Sequence, residues 1–260
     1  MMYTFHLRHP TISTVSVLAI VLVSSAAVWA CTRTFTNTSS WDPELLAHAH
    51  EPIPAFPDWQ ERIIVPPPPS NLSVGTFQDL HTLWKDRAAR SPEQVAQINS
   101  EISLSGWIIG DSHVQDYFNE TKYPATQAYL TEPFDNISIS VLVIKERFNR
   151  VRPNALFPFL STTIEVPQHP AYPSGHATQA YFIAFMLGAA VPEQADVFMT
   201  DAERIAENRE IAGVHYPSDS AAGKIIARQW ADIELLDPDR KALIQAVREE
   251  LMKAQSKNSE

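Results

Sequence analysis

Apolar residues recur at helical spacing along most of the chain after residue 75. Over residues 136–150 they repeat with a period of about 3.6, and the pattern ends where Arg152-Pro153 would stop a helix. Further helices are predicted at Gly175 to Val191, Pro192 to Ala212, Ser218 to Ile233 and Pro238 to Gln255. No stretch carries a convincing hairpin signal. We therefore expect an all-α protein built as a single helical bundle.

Two more helices are predicted at the start of this bundle. In TFQDLHTLWKDRAA the spacing puts Phe77, Leu80, Leu83 and Trp84 on one apolar face. Ser91-Pro92-Glu93 opens the second helix, because proline is well tolerated in a first helical turn.

The first 30 residues follow a different pattern. The first nine residues include Arg8 and are followed by the apolar run TISTVSVLAIVLVSSAAVWA, which ends on small residues. This pattern predicts an export signal. An uncleaved anchor is the alternative, because the run is near the length that a bilayer needs. Cys31, the single cysteine, follows directly and resembles the lipidation site of bacterial lipoproteins. The sequence thus predicts a protein exported to the periplasm or cell envelope, with membrane attachment through the N-terminus or a lipidated Cys31.

Residues 31–74 are rich in proline, serine and asparagine, with consecutive prolines at Pro66 to Pro69. This composition predicts an extended tether of polyproline character. Some order is expected where Trp41 and Trp59 pack onto the domain surface. We therefore divide the chain into a signal peptide or lipoprotein signal (1–30), a Pro-rich tether (31–74) and a helical domain (75–256).

Acidic residues outnumber basic ones by 30 to 20, which gives a formal net charge of −10. This balance argues against a nucleic-acid partner, since such proteins present clustered positive charge. A local cluster of cations in an acidic protein suits a small anionic substrate instead.

Such a cluster surrounds the turn Pro173-Ser174-Gly175-His176, where a loop becomes a helix. Ser174 is a candidate helix cap, and the free N–H groups of a helix start, including that of Gly175, favour an anion. Three cations flank the turn in sequence, namely Lys145, Arg152 and Arg209. Phosphoryl transfer needs positive charge of this kind around the phosphate oxygens.

His215 and Asp219 lie four residues apart at a predicted helix start and so face the same side. A carboxylate bonded to one ring nitrogen fixes the tautomer and leaves the other nitrogen free to attack phosphorus. Arg147 and Arg150 are expected as surface charges, with Arg150 at the pocket entrance as the alternative. His169 and Tyr172 would shape the pocket or pack the loop before the turn.

These residues occur in the order Lys145, Arg152-Pro153, PSGH, Asn208-Arg209, His215, Asp219. The order resembles the three-part signature of the type 2 phosphatidic acid phosphatase superfamily, which includes bacterial class A acid phosphatases, lipid phosphatases and vanadium haloperoxidases. Asn208 departs from it, since the family usually has serine there. The segments ARSPEQVAQINSE and IAENREIAGVHYPSDSAAG are similar to the soluble acid phosphatase branch.

The resemblance implies the same roles that the residues themselves suggest. His215 is the expected nucleophile, Asp219 orients it, and His176 protonates the leaving group and then activates water. The phosphate would be held by Lys145, Arg152, Ser174, Gly175 and Arg209. No metal site or cofactor is expected, because the two histidines do not form a zinc motif and three cations cover the charge.

The leading hypothesis is a metal-independent acid phosphatase that hydrolyses small phosphate monoesters through a phosphohistidine, with vanadate as an inhibitor and an optimum at mildly acidic pH. One alternative is a vanadium-dependent haloperoxidase, in which vanadate bonded to His215 is the cofactor. Others are an envelope phosphatase for lipid phosphates or pyrophosphates and a binding lipoprotein without turnover.

Overall fold

The computed structural model describes residue 35 and residues 41–258. The predicted export signal and Cys31 lie outside these residues. The helices are α1 (Pro43–Ala49), α2 (Trp59–Arg62), α3 (Val74–Ala89), α4 (Pro92–Ser100), α5 (Val114–Tyr117), α6 (Pro124–Phe148), α7 (Pro153–Leu156), α8 (Gly175–Ala190), α9 (Ala195–Ile211), α10 (Pro217–Glu234) and α11 (Pro238–Asn258). Two short strands, β1 (Ile108–Ile109) and β2 (Ser112–His113), pair antiparallel. The prediction of an all-α fold is confirmed.

Helix α8 is the centre of the bundle. It is apolar on every side, which is typical of a helix surrounded by others, and Phe182, Ile183, Met186 and Leu187 are all buried. Helices α6, α9 and α10 pack around it, and α11 packs against α6. The hydrophobic core therefore runs along α8, whose first residues belong to the predicted anion-binding turn.

A glycine lets α10 approach the start of α8 closely. A Cβ atom at Gly223 would lie 2.8 Å from Thr178 Oγ1 and 3.0 Å from Thr178 N. The backbones also meet nearby, because Ser174 N donates to Asp219 O at 3.1 Å. Two motifs far apart in sequence are thereby fixed side by side.

Helix α6 is longer than predicted and ends earlier. It begins at Pro124, continues through Pro133 and stops at Phe148. Asn149 ends it by adopting a left-handed conformation with φ 48°, so the stop precedes Arg152-Pro153. At its start, the Glu250 carboxylate of α11 accepts hydrogen bonds from Ala125 N at 3.1 Å and Thr126 N at 2.9 Å. A carboxylate is favourable at this end of a helix.

Residues 41–74 differ from the expected extended tether. Helices α1 and α2 form there, since Asp42 caps α1 and Pro43 takes an early helical position. Trp41 and Trp59 are buried, as expected, and the Trp59 ring lies 5.9 Å from that of Trp230. Residues 50–58 and residues 63–73, which include Pro66 to Pro69, form neither helix nor strand. The boundary of the helical domain at residue 75 stays a prediction.

The predicted apolar face of α3 is wrong in part. Leu83 is buried with Thr76, whereas Phe77 and Trp84 are 58% and 42% exposed. Each of these aromatic residues lies one position beyond a buried one, which turns it about 100° away around the helix. Thr76 fixes the inward face, because its hydroxyl donates to Ser70 O at 2.9 Å.

Candidate active site

The structure brings the predicted site residues to one end of the bundle. Lys145 comes from the end of α6, Arg152 from the residue before α7, and Arg209 from the end of α9. The PSGH turn starts α8, and His215 and Asp219 lie at the start of α10. Gly213, with φ 79°, makes the turn between α9 and His215 that an L side chain would strain.

The His215 ring lies between a carboxylate and a guanidinium group. Its Nδ1 lies 3.3 Å from Asp219 Oδ2, and its Nε2 lies 3.0 Å from Arg152 Nη1. A guanidinium only donates hydrogen bonds, so Nε2 must accept and the ring proton belongs on Nδ1, facing Asp219. Burial and the positive charge of Arg152 hold the pKa of His215 well below its usual range. The geometry therefore presents a neutral ring whose Nε2 electron pair accepts a hydrogen bond from Arg152.

Asp219 is fully buried and is charged because of its partners. Burial alone would raise its pKa, but Arg150 and His215 outweigh burial and lower the pKa to about 2. Arg150 Nη1 lies 2.5 Å from Asp219 Oδ1, and Tyr216 N donates to Asp219 Oδ2 at 2.9 Å. The expectation that Arg150 is a surface charge is wrong, since it is buried and its guanidinium stacks 3.9 Å from the Tyr216 ring centroid. A signal existed, because a buried carboxylate needs a counter-charge.

Lys145 and Arg152 hold the loops around His215. Lys145 Nζ donates to the carbonyl oxygens of Pro170 at 2.9 Å and Pro173 at 2.5 Å. Arg152 donates to His169 O at 3.0 Å and to Val214 O at 2.7 Å. Burial lowers the pKa of Lys145 well below its usual value and that of Arg152 to about 10. Both cations are therefore buried beside the nucleophile candidate and tied to backbone oxygens.

The two residues before the turn contact different parts of the molecule. His169 Nδ1 lies 3.1 Å from Arg152 Nη2, so His169 belongs to the wall of the site. The Tyr172 hydroxyl donates to Pro66 O and connects this loop to the N-terminal segment.

Arg209 is buried and only partly paired. Its Nη2 donates to Ile98 O at 3.0 Å and lies 3.5 Å from Glu101 Oε2. Its Nε and Nη1 are buried without a hydrogen-bond partner among the described residues. Buried guanidinium nitrogens are nearly always bonded, so these two mark a place for an anion.

Glu101 is a member of the site that sequence reasoning did not identify. It is buried and bonds Arg204, Asn208 Nδ2 at 2.8 Å, and Arg209. The signal was its position at the end of ARSPEQVAQINSE, a segment already singled out. The contact also explains Asn208, whose amide reaches the carboxylate that faces Arg209.

His176 packs against an aromatic side chain. Its ring centroid lies 4.8 Å from that of Trp107, and Nε2 is 3.3 Å from Ile102 O. Burial, followed by the charge of Arg209, lowers the pKa of His176 to about 3. His176 is thus neutral in this structure at mildly acidic pH.

Ser174 and Gly175 start α8 as predicted. Ser174 Oγ accepts from Ala177 N at 3.4 Å. A Cβ atom at Gly175 would meet nothing closer than Val141 Cγ1 at 3.8 Å. Packing therefore does not require glycine at this position, and the missing side chain leaves space for a ligand.

Two further features bear on the location of the site. Among the described residues, no group of three or more His, Cys, Asp or Glu side chains is arranged to hold a metal. A cavity of about 630 Å³ lies near the start of α6, between Tyr123 and Glu250. None of the predicted site residues lines this cavity. The candidate site is therefore located by the residues that its motifs bring together and not by cavity size.

Residues 134–238 match the family model described as the PAP2 superfamily. A non-specific acid phosphatase of Providencia stuartii is 23% identical over 198 residues, which cover 73% of this chain and 80% of that protein. One of Salmonella typhimurium is 31% identical over 112 residues, or 41% of this chain and 44% of that protein, so the chain spans less than half of it in the match.

A bacterial vanadium-dependent iodoperoxidase has a similar fold, with a TM-score of 0.52 and 18% identity over 68% of this chain and 52% of that one. In the part of the chain that the structure describes, no helix has the length and apolar character of a membrane span. The family match contains every predicted site residue from Lys145 to Asp219, so the part of this chain that resembles the PAP2 superfamily is the part that carries the candidate site.

Proposed function

We propose that this protein is an acid phosphatase that hydrolyses phosphate monoesters through a phosphohistidine on His215, without a metal. The observation that carries the proposal is the position of the His215 ring, whose Nδ1 faces Asp219 and whose Nε2 faces Arg152. The PAP2 match and the two acid phosphatase relatives support a phosphoric monoester hydrolase.

The first step is the transfer of the phosphoryl group to the enzyme. The electron pair on His215 Nε2 attacks phosphorus, and the bond from phosphorus to the leaving oxygen breaks. The leaving oxygen takes a proton from His176. Because Arg152 Nη1 bonds Nε2 in this structure, that hydrogen bond must pass to a phosphate oxygen as the N–P bond forms. The unpaired nitrogens of Arg209 provide a second donor group for the phosphate oxygens.

The second step releases the phosphate. Water attacks phosphorus and gives a proton to His176, which lost its own proton in the first step. The electron pair of the N–P bond returns to His215. No group changes its oxidation state over the cycle. Lys145, Arg152 and Arg209 offset the negative charge of the phosphoryl group, as a metal ion does in metal-dependent enzymes.

The proposed roles make different demands on the two histidines. The low pKa of His215 keeps the nucleophile neutral in mild acid. His176 must bind a proton to act as an acid, yet its pKa is lowered to about 3, by burial and then by Arg209. A bound phosphate dianion cancels the charge of Arg209 and so raises the pKa of His176 in the complex. We therefore expect the substrate itself to bring the acid into its working state.

The test is turnover and trapping with the full chain and a chromogenic phosphate monoester, with a chelator present. His215→Ala should lower kcat by about 10⁴-fold or more, and acid-labile, base-stable phosphoenzyme should not form. His176→Ala should still accept the phosphoryl group from this good leaving group, and phosphoenzyme should accumulate. His113→Ala, at an exposed histidine, is the matched control.

Chelator-sensitive turnover, or normal phosphoenzyme in His215→Ala, would contradict the proposal. Vanadate should inhibit, because its oxygens would accept hydrogen bonds from the same donor groups as those of phosphate. The haloperoxidase alternative is tested in the same preparation by adding vanadate, peroxide and iodide and measuring iodide oxidation.

A further inference from the structure

The outward face of α3 carries an apolar surface. Val74, Phe77 and Trp84 are 73%, 58% and 42% exposed, and they share one side of the helix. The Trp84 ring centroid lies 5.8 Å from that of Phe157, which lies 5.5 Å from Phe159, itself 74% exposed. We call these five residues the α3 patch. Single exposed apolar residues are ordinary, whereas several on one face of the molecule mark an interaction surface.

The α3 patch lies beside the catalytic end of the bundle. Ser161, two residues after Phe159, accepts from Arg87 Nε at 2.8 Å through its hydroxyl and from Arg90 Nη1 at 3.0 Å through its carbonyl. Arg90 Nε in turn donates to Ile211 O at 2.7 Å, four residues before His215. The patch is thus joined to the loop that carries the nucleophile candidate.

Cations border the α3 patch although the protein is acidic overall. The Arg87 guanidinium lies 4.8 Å from the Trp84 ring centroid, and Lys85, which directly follows Trp84 in the sequence, is exposed. The neighbouring Asp79 is occupied by Arg150 and Ser218. Aromatic rings with cations beside them suit the headgroup region of a bilayer, where the rings enter the apolar boundary and the cations meet phosphates.

The N-terminal attachment leads to the same end of the molecule. Phe35 N donates to Asn149 O at 3.0 Å, and Asn149 directly precedes Arg150, which contacts Asp79 on α3 at 3.5 Å. The apolar run ends at Ala30, so the chain between it and Phe35 spans at most about 18 Å. A membrane attachment at the run or at Cys31 would keep the catalytic end within that distance of the bilayer.

We propose that the α3 patch docks on a lipid bilayer, with the catalytic end of the bundle facing the membrane surface. The patch and the N-terminal attachment are then two contacts with one membrane, which is the combination that stable peripheral binding needs. The inference concerns orientation and does not depend on the phosphatase reaction.

The test measures depth with a spin label on the full chain, made by cell-free synthesis into vesicles of phosphatidylethanolamine and phosphatidylglycerol. Cys31→Ser removes the native thiol but keeps the apolar run up to Ala30 as the N-terminal attachment, and Phe159→Cys carries the label. The matched control is Leu236→Cys, which is 67% exposed and follows the far end of α10, about 27 Å from its start. We expect oxygen to collide several-fold more, and a water-soluble nickel chelate several-fold less, with the label at 159 than at 236.

Equal nickel accessibility at the two labels would overturn the proposal. Shielding of position 159 from both reagents would overturn it too, because it would show a second protein copy on the patch. Phe77→Asp with Trp84→Asp should raise nickel accessibility at 159 to the level at 236, whereas Ile225→Asp, at an exposed apolar residue of α10, should not. Turnover of a soluble ester should be unchanged by these substitutions, which separates loss of docking from loss of the fold.

Discussion

At the scale of single residues, the site depends on two charged side chains that orient others. Arg150 fixes the charge of Asp219, and Glu101 fixes Arg209 and Asn208. The sequence predicted that the proposed phosphate-binding residues form one site, because they occur in short motifs with characteristic spacing. It did not predict these two partners, because Glu101 after α4 meets α9, and Arg150 after α6 meets α10, only in the folded chain.

Glu101→Gln tests whether the carboxylate positions Arg209. The amide keeps the shape but removes the charge that holds two arginines and Asn208, so the Arg209 guanidinium loses its fixed orientation. We expect kcat/KM to fall by about 10- to 100-fold, mostly through KM, with the protein still folded. Steady-state kinetics checks this, with Glu120→Gln at an exposed glutamate as the control. Unchanged kinetics would mean that the hydrogen bond to Ile98 O is enough to orient the Arg209 guanidinium.

At the scale of elements, the approach of α10 to the start of α8 brings the PSGH turn and the His215–Asp219 pair together. The predicted bounds of these helices agree with the structure to within one or two residues, because proline, a capping serine and a long periodic run mark them. The start of α6 was missed, since Pro133 interrupts the pattern that it continues through. The orientation of α3 was misjudged, because faces about 100° apart both carry large apolar residues.

Gly223→Ala tests the close approach. Its Cβ would clash with Thr178, which lies two residues after His176, so α10 must move away from α8. We expect a loss of about 1–3 kcal/mol in the free energy of unfolding together with a fall in kcat. Denaturant unfolding and steady-state kinetics measure the two effects. Gly75→Ala is the control, since a Cβ there meets nothing closer than 3.4 Å and helical alanine is favourable. Wild-type stability in Gly223→Ala would show that the helices have room to spare.

At the scale of the whole molecule, buried titrating groups act in opposite directions on stability in mild acid. Burial lowers the pKa values of His169, His176 and His215, so each loses stabilisation as pH falls below its unfolded value of about 6.5. Burial raises the pKa of Glu210 and Glu234 to about 7, so each contributes stability that is complete below about 4.5 and is lost as pH rises through 7. Between about 4.5 and 6.5 the two sets partly cancel.

Glu234→Gln removes one of the compensating groups. We expect the free energy of unfolding to fall more steeply between pH 6.5 and 4.5 in this variant than in the wild type, whatever its stability at pH 7. Denaturant unfolding at several pH values gives the slope, and Glu120→Gln should leave it unchanged. An equal slope in Glu234→Gln would show that this carboxyl takes up no extra proton on folding.

The overall architecture was predictable from the sequence, and the covering of the bundle by its N-terminal segment was not. The all-α fold follows from long periodic runs that permit only helix packing. Residues 41–74 have no such period, so their packing depends on where Trp41 and Trp59 find apolar partners, which include Trp230 on α10.

The Glu250 carboxylate at the start of α6 has a consequence for truncation of the chain. It comes from the final helix, and it closes the N-terminal end of the same helix whose other end holds Lys145. Leu251, the next residue, is buried in the main core. A chain truncated before residue 250 would leave the first turn of α6 without its acceptor. Helix α11 thus belongs to the scaffold of the site, and a truncated protein that preserves the site must keep Glu250 and Leu251.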